Sequence, residues 1–136
     1  LGLVLPAGAE AAGGAMMSAD TTDKPVFDMT GLGERVRAFK SLQEGQALAQ
    51  KGKVVLFFAA SWCPTCRATF KDLQKNYGQV PSDLTILVVN YDTAKAVKSA
   101  FGVTSQHTFV HLGSDGKAVR TWAGSKDLAD IVRRIR

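Results

Sequence analysis

Cysteine and histidine are both scarce in this chain of 136 residues, which holds two of each. A structural zinc site takes four ligands, normally two cysteine pairs or one pair with two histidines at fixed spacing. Cys63 and Cys66 form a single pair, while His107 and His111 fall in a segment that reads as one strand, on one face. No stretch after the first ten residues approaches the ~20 apolar residues that a membrane-spanning helix needs. Internal repeats are missing too. No strong charge of one sign builds up: the net charge is +5, with basic residues scattered except in Arg133-Arg134-Ile135-Arg136. Such a terminus reads as a solvated helix end that suits its own dipole, so no nucleic-acid partner is expected. Apolar residues make up 46% and charged residues 21%, which places the chain among globular proteins as one domain with a tail.

The only pair of cysteines is concentrated in one place. The apolar run Val54-Val55-Leu56-Phe57-Phe58-Ala59 leads into Ser61-Trp62-Cys63-Pro64-Thr65-Cys66-Arg67, and the segment from Arg67 to Tyr77 reads as helix. A buried strand that ends in a C-x-x-C dithiol at a helix start is a place for thiol chemistry. The first turn of a helix offers unpaired N–H groups and the positive end of its dipole, and both favour thiolate over thiol. Cys63, the earlier and by expectation more exposed sulfur, is read as the nucleophile, and Cys66, one turn on, as the resolving thiol. Pro64 suits the first helical position because its φ is preset and it has no N–H to leave unpaired. A purely structural disulfide across so short a loop would constrain little of the unfolded chain. Redox chemistry is therefore the leading reading, with the Cys63–Cys66 disulfide as the redox centre and no other cofactor.

Residues 1–24 show no periodicity and are rich in alanine and glycine, which reads as a disordered tail, with a domain over 25–136. The start, Leu1-Gly2-Leu3-Val4-Leu5-Pro6-Ala7-Gly8-Ala9, resembles the end of a signal peptide's apolar region followed by small residues suited to cleavage. An extracytoplasmic location, periplasmic or secreted, is expected, with a membrane tether as the alternative. A protein beginning near Lys24 should keep its melting temperature and its activity; a large loss in either would mean that the tail packs on the domain.

Further elements follow from patterning. A short strand is expected at Val26-Phe27, a turn over 28–33, an edge strand over 35–39, and a helix from the Ser41-Leu42-Gln43-Glu44 capping box to Gln50 with Leu42, Ala47 and Leu48 inward. Lys53 to Ala59 is a central strand, and the helix from Trp62 to Tyr77 turns Phe70, Leu73 and Tyr77 inward. A strand over 84–89, a helix over 93–101 with Ala96, Val97 and Ala100 inward, a hairpin of 107–112 and 117–122, and a helix over 126–136 complete the chain. The fold class is α/β: a mixed central sheet with helices on both faces.

That order resembles the thioredoxin fold over roughly residues 35–136. The likeness is carried by Phe57-Phe58-Ala59-Ala60-Ser61-Trp62-Cys63, Val89-Asn90-Tyr91-Asp92, Phe101-Gly102-Val103 and Gly124 before the last helix. It looks closest to the exported thioredoxin-like proteins that handle disulfides outside the cytoplasm. The resemblance implies a thiol–disulfide oxidoreductase, a monomer that reduces protein disulfides and takes electrons from a membrane thiol donor. It also implies that Trp62 offers an apolar surface to partners, and that the peptide at Ser105-Gln106 hydrogen-bonds an extended partner strand.

Three positions depart from the family. Phe57 stands where cytoplasmic thioredoxins have a buried aspartate, and Val88 near the place of its lysine partner, so no buried carboxylate is expected for the Cys66 proton. Pro64-Thr65 separates the cysteines, and Thr65 is read as polar surface for a helix start rather than as a hydroxyl for the sulfur. His107 replaces the family's cis-proline. A cis bond before a residue other than proline costs about 2.5–4 kcal/mol, so Gln106-His107 is expected trans, or strained for function. By resemblance His107 lies near the sulfurs, where it would support the Cys63 thiolate, shuttle a proton, or complete a metal site with Cys63 and Cys66. The last is the alternative function: a copper, zinc or iron–sulfur protein. His111, further along the strand, is read as structural.

Overall fold

The computed structural model describes residues 25–136, so the tail over 1–24 lies outside the described residues. Five strands form one sheet: β1 (Val36–Ala38), β2 (Lys53–Ala59), β3 (Leu84–Asn90), β4 (Thr108–Leu112) and β5 (Ala118–Ala123). Their spatial order is β1-β3-β2-β4-β5. The first three pair parallel, while β4 runs antiparallel to β2 and β5 antiparallel to β4. Four helices cover the sheet: α1 (Leu42–Ala49), α2 (Pro64–Lys75), α3 (Lys95–Phe101) and α4 (Leu128–Arg134). The mixed sheet with helices on both faces is the architecture expected from the patterning.

Strand alternation divides the core in two. Val55, Phe57, Ala59, Ile86, Val88, Phe109 and Trp122 point to one face, where they meet Phe70 and Leu73 of α2 and Leu128 and Ile131 of α4. Val54, Leu56, Phe58, Leu87, Val89, Val110 and Leu112 point to the other, under α1 and α3. Lys53 apart, β2 is buried along its whole length, as a strand covered on both faces must be. Both cysteines belong to the first layer.

Several elements differ from their expected form for local reasons. Val26 and Phe27 form a bend instead of a strand; Phe27 stacks on Phe70 with ring centroids 4.5 Å apart, which fixes the entry to the domain. Ser41 caps α1, accepting the Glu44 N–H at 3.1 Å, a contact worth about 1 kcal/mol. The return half of the capping box is not made, since Glu44 Oε1 is buried without a partner. Ala47 and Ala100 are exposed, not inward. In α1 the innermost place goes to Gly45, where a Cβ would stand 3.2 Å from Leu112 Cδ2. α2 starts at Pro64 rather than Trp62, because Cys63 is its cap. β4 starts at Thr108 rather than His107, for a reason that belongs to the site.

Candidate active site

β2 delivers the dithiol. Its last residue, Ala59, passes through Ala60 and Ser61 to Trp62, and the chain then turns into α2 with Pro64 in its first turn. Cys63 takes the N-cap position with its sulfur acting as the capping acceptor: the Cys66 N–H donates to Cys63 Sγ at 3.1 Å. Thr65 Oγ1 lies 3.3 Å from the same sulfur. The Thr65 hydroxyl thus faces Cys63, contrary to its reading as mere polar surface, because the first helical turn folds residue 65 back over the cap. Pro64 and Thr65 are exposed above the sulfurs.

The two cysteines do not differ in exposure as expected: Cys63 is 1% and Cys66 0% accessible. They differ in their electrostatics. Burial by itself would raise the Cys63 thiol, but hydrogen bonding from Cys66 and Thr65, side chain and backbone, outweighs it and holds the group below its ordinary 9.0. Burial and the shared proton with Cys63 push Cys66 the other way, up to about 12. Alkylation of Cys63 should therefore follow a titration centred below pH 9.0, with more thiolate at neutral pH than free cysteine has. Thr65→Val should move that midpoint up and slow alkylation at pH 7 about fivefold, as the loss of one ~1 kcal/mol hydrogen bond requires. A midpoint that stays put would show that the hydroxyl does not support the sulfur.

Trp62 is 55% exposed, and its indole N–H donates to both carboxylate oxygens of Asp92, at 3.1 and 2.9 Å. The ring is thus held beside the dithiol with an apolar face open. Phe57 and Val88, the replacements for the family's charge pair, are direct neighbours in the β2–β3 register. Phe57 stacks on Phe109 at 4.7 Å and Phe109 on Trp122 at 5.6 Å, an apolar floor with no carboxylate in it.

His107 lies at the loop before β4, 9% exposed, with its ring 5.9 Å from Phe57 and 5.6 Å from Phe109. Every described peptide bond is trans, Gln106-His107 included, and His107 has φ +61. It is the one described non-glycine residue in the left-handed region, a conformation that costs on the order of 1–3 kcal/mol outside glycine. Two backbone bonds hold it there. Its N–H donates to the Phe58 carbonyl at 2.8 Å, and its own carbonyl accepts from Gly124 N–H at 3.0 Å. This kink excludes it from regular pairing, which is why β4 begins one residue later. The loop before it is tied down by Tyr91 Oη, which donates to the Thr104 carbonyl, and by Thr108 Oγ1, which donates to that of Ser105. Gln106 is half-buried in that loop.

The three residues of the alternative metal reading do come together: one donor atom each from Cys63, Cys66 and His107 lie within 4.8 Å of one another. No fourth cysteine, histidine or carboxylate among the described residues joins them, which leaves the set one ligand short of a closed tetrahedral site. His107 Nε2 is already engaged, 2.8 Å from the Ser125 carbonyl and 3.1 Å from Thr69 Oγ1. His111 sits further along β4, opposite Val55 and Arg120, where burial and then the Lys53 charge hold its pKa low. It is not brought to the dithiol.

Thr69, Ser125 and Asp130 take part without having been singled out in the sequence, and Asp92, named there only within a segment that carries the resemblance, holds Trp62. Thr69 carries a visible signal, being one turn after Cys66 on the same helical face. Ser125 and Asp92 reach the site through partners 56 and 30 residues away, and Asp130 reaches it through Ser125.

A family model described as Thioredoxin matches residues 37–136. The chain belongs to the thioredoxin family. It is 33% identical to the thioredoxin of Mycoplasma pneumoniae over 101 residues, which cover 74% of this chain and 97% of that one. It is 34% identical to an H-type thioredoxin of Ricinus communis over 87 residues, covering 64% and 70%. Among solved structures, the Trxlp protein of Edwardsiella tarda superposes with a TM-score of 0.60 at 29% identity, covering 73% of this chain and 96% of that one. Fasciola hepatica thioredoxin superposes at 0.59 with 22% identity, covering 69% and 88%, which speaks to the fold alone. As a thioredoxin-family protein with a close Cys63–Cys66 pair, the chain is a thiol–disulfide oxidoreductase, and thioredoxins act on protein disulfides.

Proposed function

We propose that this thioredoxin reduces protein disulfides outside the cytoplasm, with Cys63 as nucleophile and Cys66 as resolving thiol. The observation that carries the chemistry is the placement of the two sulfurs: Cys63 Sγ caps α2, 3.1 Å from the Cys66 N–H and 3.3 Å from Thr65 Oγ1, and Cys66 is fully buried one turn on. In the forward cycle the Cys63 thiolate attacks a substrate disulfide, forming a mixed disulfide and releasing one substrate thiolate, which takes a proton from solvent. Cys66, deprotonated, then attacks Cys63 Sγ; the Cys63–Cys66 bond forms and the second substrate thiolate leaves. Two electrons pass from the dithiol to the substrate, and an external dithiol donor, membrane-bound in this reading, restores it. The compartment is supported by the leader-like Leu1–Ala9 stretch.

Insulin reduction with dithiothreitol as donor tests the direction, and fractionation of the source cells tests the compartment. Turbidity no faster than the uncatalysed background would refute the reductase. Recovery in the cytoplasmic fraction would refute the location. Stoichiometric metal in protein purified under reducing conditions would replace this reading with the metal-binding one.

A further inference from the structure

We infer that His107 accepts the Cys66 proton in the resolving step, and that Thr69 and Ser125 are positioning residues that set its ring for the transfer. The inference deepens the assignment of Cys66 as the resolving thiol and rests on it. A thiol buried to 0% exposure must lose its proton before it can attack, and the place of a buried carboxylate is filled by Phe57. Among the described residues, the titratable side chain gathered with the two sulfurs is His107, a ring nitrogen of which lies within 4.8 Å of both. That is within the reach of proton transfer through one water.

The hydrogen bonds settle the tautomer. The Ser125 carbonyl, 2.8 Å from His107 Nε2, can only accept, so Nε2 carries the hydrogen and the neutral ring has its lone pair on Nδ1. Thr69 Oγ1 donates its own hydrogen to the same carbonyl at 2.9 Å, which leaves its oxygen, 3.1 Å from Nε2, to accept as well. One N–H therefore faces two oxygens, an arrangement that strengthens when Nδ1 gains a proton and the ring becomes imidazolium. Ser125 is in turn pinned: its Oγ accepts from Trp122 Nε1 at 2.8 Å and donates to Asp130 Oδ2 at 2.5 Å. The charged or titratable groups facing the ring are Cys63 and Cys66 from the α2 side and, through Ser125, Asp130 of α4; β2, β4 and β5 present Phe57, Phe109 and Trp122. In the step itself the Cys66 S–H bond breaks, its proton passes to Nδ1, the Cys63–Cys66 bond forms and the substrate thiolate leaves. The imidazolium then gives its proton to that thiolate or to water.

Reaction with dithiobis(nitrobenzoate) under single-turnover conditions separates the two steps, because the first thionitrobenzoate released reports Cys63 and the second reports Cys66. His107→Asn tests the base, since asparagine tolerates positive φ but offers no basic nitrogen. The second phase should slow about 100-fold while the first stays within about threefold. Added imidazole should recover part of the second phase in His107→Ala. Thr69→Val keeps the ring but removes one acceptor of its N–H, so the second phase should slow about tenfold with the first unchanged, and Thr69→Ser should restore it; this variant carries the test should the asparagine variant unfold. Equal slowing of both phases, or an unchanged second phase in His107→Asn or in Thr69→Val, overturns the inference and leaves His107 a loop-holding residue. A parent protein without a fast first phase would instead overturn the dithiol reading beneath it.

Discussion

Cys66→Ser should hold substrate as a mixed disulfide, and Cys63→Ser should hold none. Thiolate is the attacking species, and only Cys63 sits where a backbone N–H and a hydroxyl stabilise it. Without that sulfur, turnover of a protein disulfide should fall at least about a thousandfold, ~4 kcal/mol of transition-state stabilisation. Cys66→Ser should attack once and stop, because a serine hydroxyl in that buried place cannot displace the substrate thiol. The trapped species is measured as a reducible adduct by non-reducing electrophoresis and intact mass. Faster alkylation of Cys66 than of Cys63 at neutral pH would reverse the roles.

His107→Pro, which restores the family's residue, should destabilise this protein. Proline fixes φ near −65°, whereas His107 has φ +61, and it has no N–H to give the Phe58 carbonyl. The ring's contacts with Thr69 and the Ser125 carbonyl would go as well. The combined loss should reach ~3 kcal/mol or more. For a domain of this size that lowers Tm by roughly 10 °C. His107→Asn should lose less, because it can keep both the backbone conformation and the N–H. Thermal melts of the three proteins decide it. A proline variant that melts with the parent would show that the loop around residue 107 re-forms freely, so that the left-handed kink is not what the rest of the fold imposes.

The relation between Phe57 and Val88 shows how far local patterning reaches. Each is one residue of an apolar run, and each run reads as a strand buried on both sides. That they stand opposite one another follows from the parallel register, and their pairing explains how a thioredoxin loses its buried charge pair without leaving half of it behind. At Thr65 patterning points the wrong way, because only the folded first turn brings its hydroxyl over Cys63. At Ala47 and Ala100 the helical period is right but the contact is not, since the narrow space above the sheet takes Gly45 in one helix and Val97 in the other.

The sequence by itself determines the element order, the sheet's central strands, the dithiol at a helix start and the exchange of proline for histidine at 107. The first three rest on spacing within a short window: a period of two for strands, 3.6 for helices, and the three-residue reach of a capping sulfur; the last rests on the resemblance to the family. The tertiary structure alone decides what His107 does. Its partners Ser125 and Thr69 stand 18 and 38 residues away, and the Thr69–Ser125 bond spans 56. Side chains so distant meet only after α2, β4 and the turn into α4 have packed on one face of the sheet, and no periodicity along the chain records which of them will touch.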